Sequence, residues 1–541
     1  MKTVISERFY SVFRASLASM SISYVLILTD NVVAGQFVGD EAVAAMTLVA
    51  PIMTLIYFLS YMIADGLAMM FSYAKGNNDR QKANELFSMG IICAAVLSLA
   101  LTVAMFVFDR KILGFWDISP EMMSYALDYY HGLILVTIPA MLNIFLYTIY
   151  VAEGEENICV KASAAMFVVN MILDIVLGYK IGVVGIGIAT AIGNFVSVLF
   201  HVPYLFSPKC QLRLVKYWNG KEFWRGIFYS WYHSMDTLYL TLLPMIFSFF
   251  VLKNFGEENL IVVTVIINVI TLLTAFYTGM VDCLQPMICQ YHAEGALHSV
   301  RKTMHLGVTS TITMTGAIVL FAFVFAEFLP GLFGVSREAQ LYSECVFAVR
   351  IFMPFTFFLG VTLMFSNYYI YIERLNFGAA IKTLLLLILP SLGMFAGVFG
   401  LPLMWIGVGV SFIVALLINF FLTRRDLLLI DAEKYSRQFS FDTDAKPENL
   451  PALKNALEKF FARTKLEPKN FLLALTEEIF SDYAARAEDF QLEVSIIPDE
   501  RTVLIFRENA KPGEPSSPLL DNIREKNYMI SGDENKFVVV I

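Results

Sequence analysis

Asp30 stands in the second half of the first apolar run, and Asp174 closes the stretch Asn170-Met171-Ile172-Leu173-Asp174 inside another. A carboxylate at mid-bilayer is penalised by roughly 2.5–3.5 kcal/mol on insertion scales, so each one inside a span is a candidate functional group. Asn170 and Asp174 are four residues apart and share a helix face. If the helix carrying Asp30 is their neighbour, all three line one cavity, where a carboxyl group out of water favours its neutral form. Such a group can bind and release a proton, or hold a sodium ion with the amide oxygen of Asn170. Asp30, Asn170 and Asp174 are therefore the candidates for ion coupling, with Asp30 and Asp174 as the sodium ligands. Asp65, Asp236 and Asp282, with Gln285 close by, are secondary candidates. For each acid the plainer alternative is a buried polar group that only fixes helix packing. Glu153 and Glu327 lie nearer span ends and read as interfacial.

The remaining chemistry-bearing residues point away from an enzyme in the membrane part. No His lies with an Asp or Ser at triad-like spacing, and His292, His298 and His305 follow a span end without ligand periodicity, as a solvated loop would. Cys93, Cys159, Cys210, Cys283, Cys289 and Cys345 lie in or beside apolar spans with no C-x-x-C pair, so they read as reduced packing residues. No resident cofactor is implied beyond the coupling ion.

The elements that must position these residues are membrane helices. Of 541 residues, 57% are hydrophobic and 16% charged, with a mean hydropathy of +0.65, far from soluble averages. Apolar runs of bilayer length follow one another to about residue 422. They predict helices near 12–37, 43–72, 87–108, 131–152, 160–181 and 183–206, then near 226–252, 259–291, 306–330, 341–371, 376–399 and 401–422. The opening run has no small-x-small cleavage site and reads as a retained first helix rather than a signal peptide. Residues 431–541 hold 21 acidic and 15 basic side chains. With no dense basic stretch anywhere, nucleic acid is excluded as a partner.

With the amino terminus inside, the inner loops collect Lys75, Arg80, Lys82, Lys161, Lys209, Arg213, Lys216, Lys221, Arg225, Arg301, Lys302 and Arg374, whereas the outer loops hold Arg110, Lys111, Lys180, Lys253 and Arg337. That asymmetry predicts twelve helices in the cytoplasmic membrane with both termini cytosolic. The halves also repeat. Gly39-Asp40-Glu41, Asp65-Gly66-Leu67, Met70 and Gly76 recur as Gly256-Glu257-Glu258, Asp282-Cys283-Leu284, Met287 and Gly295. Two copies in the same orientation imply a pseudo-two-fold axis along the membrane normal, a transporter architecture.

Thr29-Asp30-Asn31, Val38-Gly39, Ala42-Val43-Ala44-Ala45 and Lys75-Gly76-Asn77-Asn78-Asp79, followed by Asn170 to Asp174, Gly185 to Thr190 and Gln285-Pro286, resemble the multidrug and toxic compound extrusion (MATE) family over about 8–425. The resemblance implies a V-shaped pair of six-helix lobes that exchanges organic, often cationic, compounds for inward protons or sodium ions. It matches Asp30 and Asp174 to amino-lobe acids tied to coupling and Asp236 to a Glu of some members. The chain departs from it in lacking a proline near Ala15 and in the turn Tyr291-His292-Ala293-Glu294-Gly295.

From about residue 426 the composition becomes that of a mixed α/β domain. Helical periodicity at Leu450, Leu453, Leu457 and Phe461 and at Phe471, Leu472, Leu475, Ile479 and Tyr483 precedes β-rich runs at 492–497, 503–506 and 537–541, with Pro512-Gly513 and Gly532 as breaks. With Glu477-Glu478-Ile479-Phe480-Ser481-Asp482 on its second helix, this layout resembles the histidine-kinase-like ATPase fold of anti-sigma-factor kinases over about 445–541. The resemblance implies nucleotide contacts at Glu478, at Asp482 where that family has a magnesium-binding Asn, and at Glu508-Asn509-Ala510 in place of an Asp-x-Gly turn. The magnesium-binding Asn, the Asp-x-Gly turn and the Gly-rich lid, which is missing after Pro515, are thus all altered. A degenerate domain that binds a protein or regulates the spans is expected.

The resulting expectation is an all-α polytopic membrane protein of two parallel six-helix repeats, 1–207 and 226–425, joined by an inner linker at 208–225. A second linker at 426–444 leads to a small C-terminal α/β sandwich at 445–541. The expected activity is proton- or sodium-coupled export of small organic molecules, with membrane lipid and a cytosolic protein on the tail as further partners. Two alternatives are a flippase for lipid-linked substrates and a membrane-tethered signalling protein that uses the kinase-like tail.

Overall fold

A computed structural model describes the chain except residues 1–2, 39, 115–119, 333–340, 465, 467, 487–489, 499–500, 510–513, 524 and 532–533. Gly39, Arg337, Ala510, Pro512-Gly513 and Gly532 therefore lie outside the described residues. The helices are α1 (Val4–Val33), α2 (Asp40–Gly76), α3 (Arg80–Val107), α4 (Pro120–Ile134), α5 (Thr137–Glu153), α6 (Glu156–Ile181), α7 (Val183–Leu205), α8 (Gly220–Phe255), α9 (Leu260–Ala293), α10 (Leu297–Val324) and α11 (Tyr342–Tyr371). Then come α12 (Leu375–Thr383), α13 (Leu389–Met394) and α14 (Leu401–Leu422), with a π-helical turn Leu384–Ile388 between α12 and α13.

Local chemistry sets the ends. The Asp79 carboxylate caps α3 by accepting from the Lys82 amide at 2.8 Å. Gly182, at φ +68°, separates α6 from α7 at the expected break. The span expected at 131–152 begins instead at Pro120, and α4 and α5 meet at a 46° bend. Pro139 lacks the amide that would bond to Leu135, which puts the bend at Leu135-Val136.

Among the described residues, eight helices are long and apolar enough to cross a membrane, nine if the bent pair is one span. The three long helices outside that count are α1, α8 and α9, which carry Asp30, Asp236 and Asp282. Packing is reciprocal. Helix α1 lies against α9, and α2 against α8, the pattern a two-fold relation of α1 with α8 and α2 with α9 produces. One hydrophobic core joins both halves at the end where α2 and α9 finish, running through Phe9, Phe71, Phe145, Met287, Tyr291 and Tyr369. Toward the opposite end the halves have separate cores, one including Ile56, Tyr130 and Ile186, the other Phe247, Phe352 and Trp405.

The tail sits at the shared-core end. Its strands are β1 (Phe439–Asp444), β2 (Gln491–Pro498), β3 (Thr502–Glu508), β4 (Glu525–Ser531) and β5 (Glu534–Val540), in one antiparallel sheet of order β1-β2-β3-β5-β4. Helices α15 (Leu450–Thr464) and α16 (Lys469–Ala485) cover one face. Strand β1 falls in the stretch 426–444 read as a linker. Because side chains alternate along a strand, Leu492, Val494, Leu504, Phe506 and Phe537 meet the helices, whereas Glu493, Ile497, Ile505, Arg507 and Lys536 meet the helical body. The layers are thus helices, sheet and membrane body.

Candidate functional site

Helices α1 and α6 pack side by side, as a shared cavity requires. They bring Asp30, Asn170 and Asp174 together in the amino-terminal half. Turned so that its nitrogen faces the acids, the Asn170 amide donates to Asp30 Oδ1 at 3.1 Å and Asp174 Oδ2 at 2.8 Å, and its oxygen accepts from the Thr190 amide at 3.1 Å. Turned the other way, its nitrogen donates to Thr190 Oγ1 at 3.3 Å and three oxygens converge. The first orientation suits a protonated or empty site, the second a hard monovalent cation. Asp30 and Asp174 thus lie against one amide and close enough to interact directly, and two carboxyl groups so placed repel unless one carries a proton. Asn170 and Asp174 are fully buried, and the remaining Asp174 oxygen has no partner among the described residues.

Close approach of α7 makes the pocket possible. A Cβ on Gly185 would come within 2.4 Å of the Leu177 carbonyl, and one on Gly193 within 3.0 Å of Asn170 Cβ. Tyr57 and Tyr129 lie near enough to feel the Asp30 charge. One turn beyond Asp30, α1 ends in a π-helical segment, Ala34–Val38, a distortion that recurs at functional sites.

Asp65, Asp236 and Asp282 form a separate cluster where the halves meet, with partners that sequence reasoning missed. His233 Nδ1 lies 3.0 Å from Asp65, its Nε2 3.0 Å from the Tyr371 hydroxyl. The Lys382 ammonium is wholly buried between Asp236 at 3.4 Å and the carbonyls of Tyr232, at 3.3 Å, and His233. Gln285 donates to the Asp65 carbonyl at 3.0 Å. Asp65, Asp282 and Gln285 line a narrow cavity with Tyr61, Ser72 and Tyr147. Lys382 was findable: a charge inside an apolar span meets the same criterion that singled out the acids. His233, inside the span expected at 226–252, met it too, although its partner, on a helix far away in sequence, could not be read from it.

Two expectations change. Glu153 is not interfacial; it is buried and paired with Lys75 at 3.2 Å and with Arg80, because α2, α3 and α5 converge on it. Glu327, by contrast, is exposed and paired with Arg350 at 3.0 Å, as an interfacial position allows. The three histidines lie on α9 and α10 rather than in a loop, and His298 stacks on Tyr435 of the tail at 4.0 Å.

In the tail, Glu478 accepts from the Ser517 hydroxyl at 2.5 Å. Asp482 is paired with Arg486 at 2.5 Å and accepts from the Ser516 amide at 3.2 Å. Glu508 is buried, and although Tyr528 donates to it at 2.6 Å, burial pushes its carboxyl up to about 8. Next to it Asn509 donates to Glu7 of α1. Each acid matched to the nucleotide is thus engaged internally. Among the described residues no three His, Cys, Asp or Glu side chains gather as a metal site.

The family model described as MatE matches residues 15–176 and 234–393, more than half of the chain. The chain belongs to the MatE family. Its members are secondary transporters, not enzymes, and the chain is a multi-pass membrane transporter. The match ends before the tail. Among curated proteins, the multidrug export protein MepA of Staphylococcus saprophyticus is 21% identical over 407 residues, covering 73% of this chain and 89% of that protein. The MepA of Staphylococcus haemolyticus is 26% identical over 208 residues, 37% of this chain and 46% of its own length. Among solved structures, a MATE transporter in complex with MaL6 superimposes with a TM-score of 0.72 at 19% identity, over 79% of this chain and 97% of that one. A MOP superfamily transporter from Pyrococcus furiosus, described as having a binding pocket of reverse polarity, gives 0.73 at 19% identity, over 80% of this chain and 98% of that one.

Proposed function

We propose that the chain is a proton- or sodium-coupled antiporter that exports organic compounds, cations among them, across the cytoplasmic membrane. The observation that carries this is the Asp30-Asn170-Asp174 group, two acids and an amide in mutual contact inside the amino-terminal half. Its donor set fits either coupling ion: a proton shared between two carboxyl groups, or sodium among three oxygens. The curated relatives bear the name multidrug export protein, which supports small molecules as cargo.

In this reading α1 to α14 make twelve spans, six in each lobe, the bent α4-α5 pair and the broken α12-α13 segment each counting once. The basic residues and the tail lie in the cytosol, so the shared core closes the cytosolic end and the separate cores flank an outward-facing cleft. The tail, two helices over an antiparallel sheet, is taken as a degenerate kinase-like domain. The internal bonds of Glu478 and Asp482 favour regulation, or a protein partner, over nucleotide chemistry.

Extrusion of a fluorescent organic cation from cells making the protein tests the reading. Wild type should lower dye accumulation, and Asp30→Asn, equally abundant in the membrane, should not. A membrane-impermeant thiol reagent should miss a cysteine placed at the exposed Asn455 in intact cells and reach it in inverted vesicles. Equal extrusion by Asp30→Asn would refute the coupling site, and outside labelling at 455 the orientation.

A further inference from the structure

The sheet face turned from the tail's own helices is charged and enclosed. Arg507 is completely buried, paired with Glu294 after α9, with Glu493 at 2.8 Å and with Glu534 at 3.3 Å, its guanidinium 4.8 Å from the centre of the Tyr291 ring. Burial alone would raise the Glu294 carboxyl, but Arg507 and Lys536 outweigh it and hold it down at about 2.

The contacts divide unequally between the lobes. To the carboxy-terminal lobe the tail is fastened along its length. Gln438 pairs with the Gly295 carbonyl at 2.7 Å and the Leu297 amide at 3.0 Å, Lys302 with Asp442 at 2.5 Å, and Ser299 with Glu493 at 3.1 Å. Ile497, Ile505 and Val538 pack on Ala296 between them. Among the described residues, three side chains of the tail bond to the amino-terminal lobe. Glu534 takes Arg8 at 2.5 Å, Lys536 donates to the Lys75 carbonyl at 3.4 Å, and Asn509 donates to Glu7. Glu534 and Lys536 each touch both lobes at once, since Glu534 also accepts from the Tyr291 hydroxyl at 2.8 Å and Lys536 pairs with Glu294 at 2.7 Å.

The geometry points to a latch: the tail is anchored on the carboxy-terminal lobe and, through Glu534, Lys536 and Asn509, holds the amino-terminal lobe against it at the cytosolic end. Parting the lobes there pulls Arg8 out of its buried pair with Glu534 and leaves Glu534 to Arg507 and the Tyr291 hydroxyl alone, so the closed end is favoured while the latch is made. Whatever draws these three side chains off releases the cytosolic gate, and the tail thereby sets how often the transporter opens inward. The latch rests on the antiporter reading above only in supposing that the lobes part at this end.

Its test reads conformation rather than transport. Nitroxides on cysteines at the exposed Asn77 and Arg374, one in each lobe, report the lobe separation in the full chain with the native cysteines replaced. Wild type should show mainly the short distance. Glu534→Gln with Asn509→Ala should raise the ratio of long to short at least tenfold, and Lys454→Met, on the tail's outer helix, should leave it unchanged. A second pair, Glu7→Cys with Asn509→Cys, bridged by a short reducible thiol-to-thiol cross-linker, should remove the long-distance population under every condition and be reversed by reductant. An unchanged ratio in the latch variant, or a long-distance population that survives the cross-link, overturns the latch. A chain that exports nothing yet shows these shifts refutes the antiporter and leaves the latch standing.

Discussion

Replacing Asp174 by Asn keeps the side chain's shape and removes one of two carboxyl groups that touch across α1 and α6. With two negative charges about 4 Å apart at an effective dielectric constant of about 20, ionising both costs about 4 kcal/mol. That is about a thousandfold against the doubly ionised pair. On the proposed proton coupling, one proton rather than two should therefore be exchanged in each cycle at ordinary pH. One proton per cargo molecule converts one unit of pH gradient, about 1.36 kcal/mol, into at most about a tenfold cargo ratio. Proteoliposomes with an imposed pH gradient and a neutral cargo measure that ratio directly at steady state. Wild type should approach tenfold per unit, and Asp174→Asn should fall to a ratio of one while still exchanging labelled for unlabelled cargo. Accumulation by Asp174→Asn equal to wild type would refute the site, and a wild-type ratio near a hundredfold would refute the single shared proton. A response to sodium gradients alone would assign the three oxygens to sodium.

Two further outcomes concern the tail. The folded chain keeps the Glu508 proton up to about pH 8, whereas an unfolded glutamate releases it near 4.5. The folded state thus binds more protons in that window, and the tail should lose stability, on the order of a few kcal/mol, as pH rises from about 4.5 to 8. Hydrogen exchange of β3 and β4 in the full chain, corrected for intrinsic rates, should show protection falling between pH 5 and 8 in wild type and level in Glu508→Gln; level protection in both would contradict the argument. Titration calorimetry of the full chain with magnesium and ATP should give only heat of dilution, because Asp482 is held by Arg486 and Glu478 by Ser517. Low-micromolar binding lost in Glu478→Ala would restore the nucleotide reading.

Composition and run length sufficed for the membrane class and for the places of the long helices, because a bilayer enforces apolar segments of fixed length. The cost of charge in lipid singled out Asp30, Asp174, Asp65, Asp236 and Asp282 one by one, and four-residue spacing tied Asn170 to Asp174. Hydropathy could not give the bend at Leu135-Val136, since Pro120–Ile134, with Glu121, Asp128 and His131, is less apolar than Thr137–Glu153 and does not read as the other half of a broken span. Nor could it give β1 and β4: β1 alternates only through Phe439 and Phe441 before turning polar, and the apolar residues of β4, Tyr528 to Ile530, are consecutive rather than alternating. Which acids meet was decided only by tertiary structure: Asp30 with Asp174 through α1 on α6, Asp65 with His233 through α2 on α8. Arg8 and Glu534 are separated by 526 positions and look like two ordinary surface charges in the sequence. Folding encloses them together under the tail, and burial is what turns a solvated charge into one that must be paired.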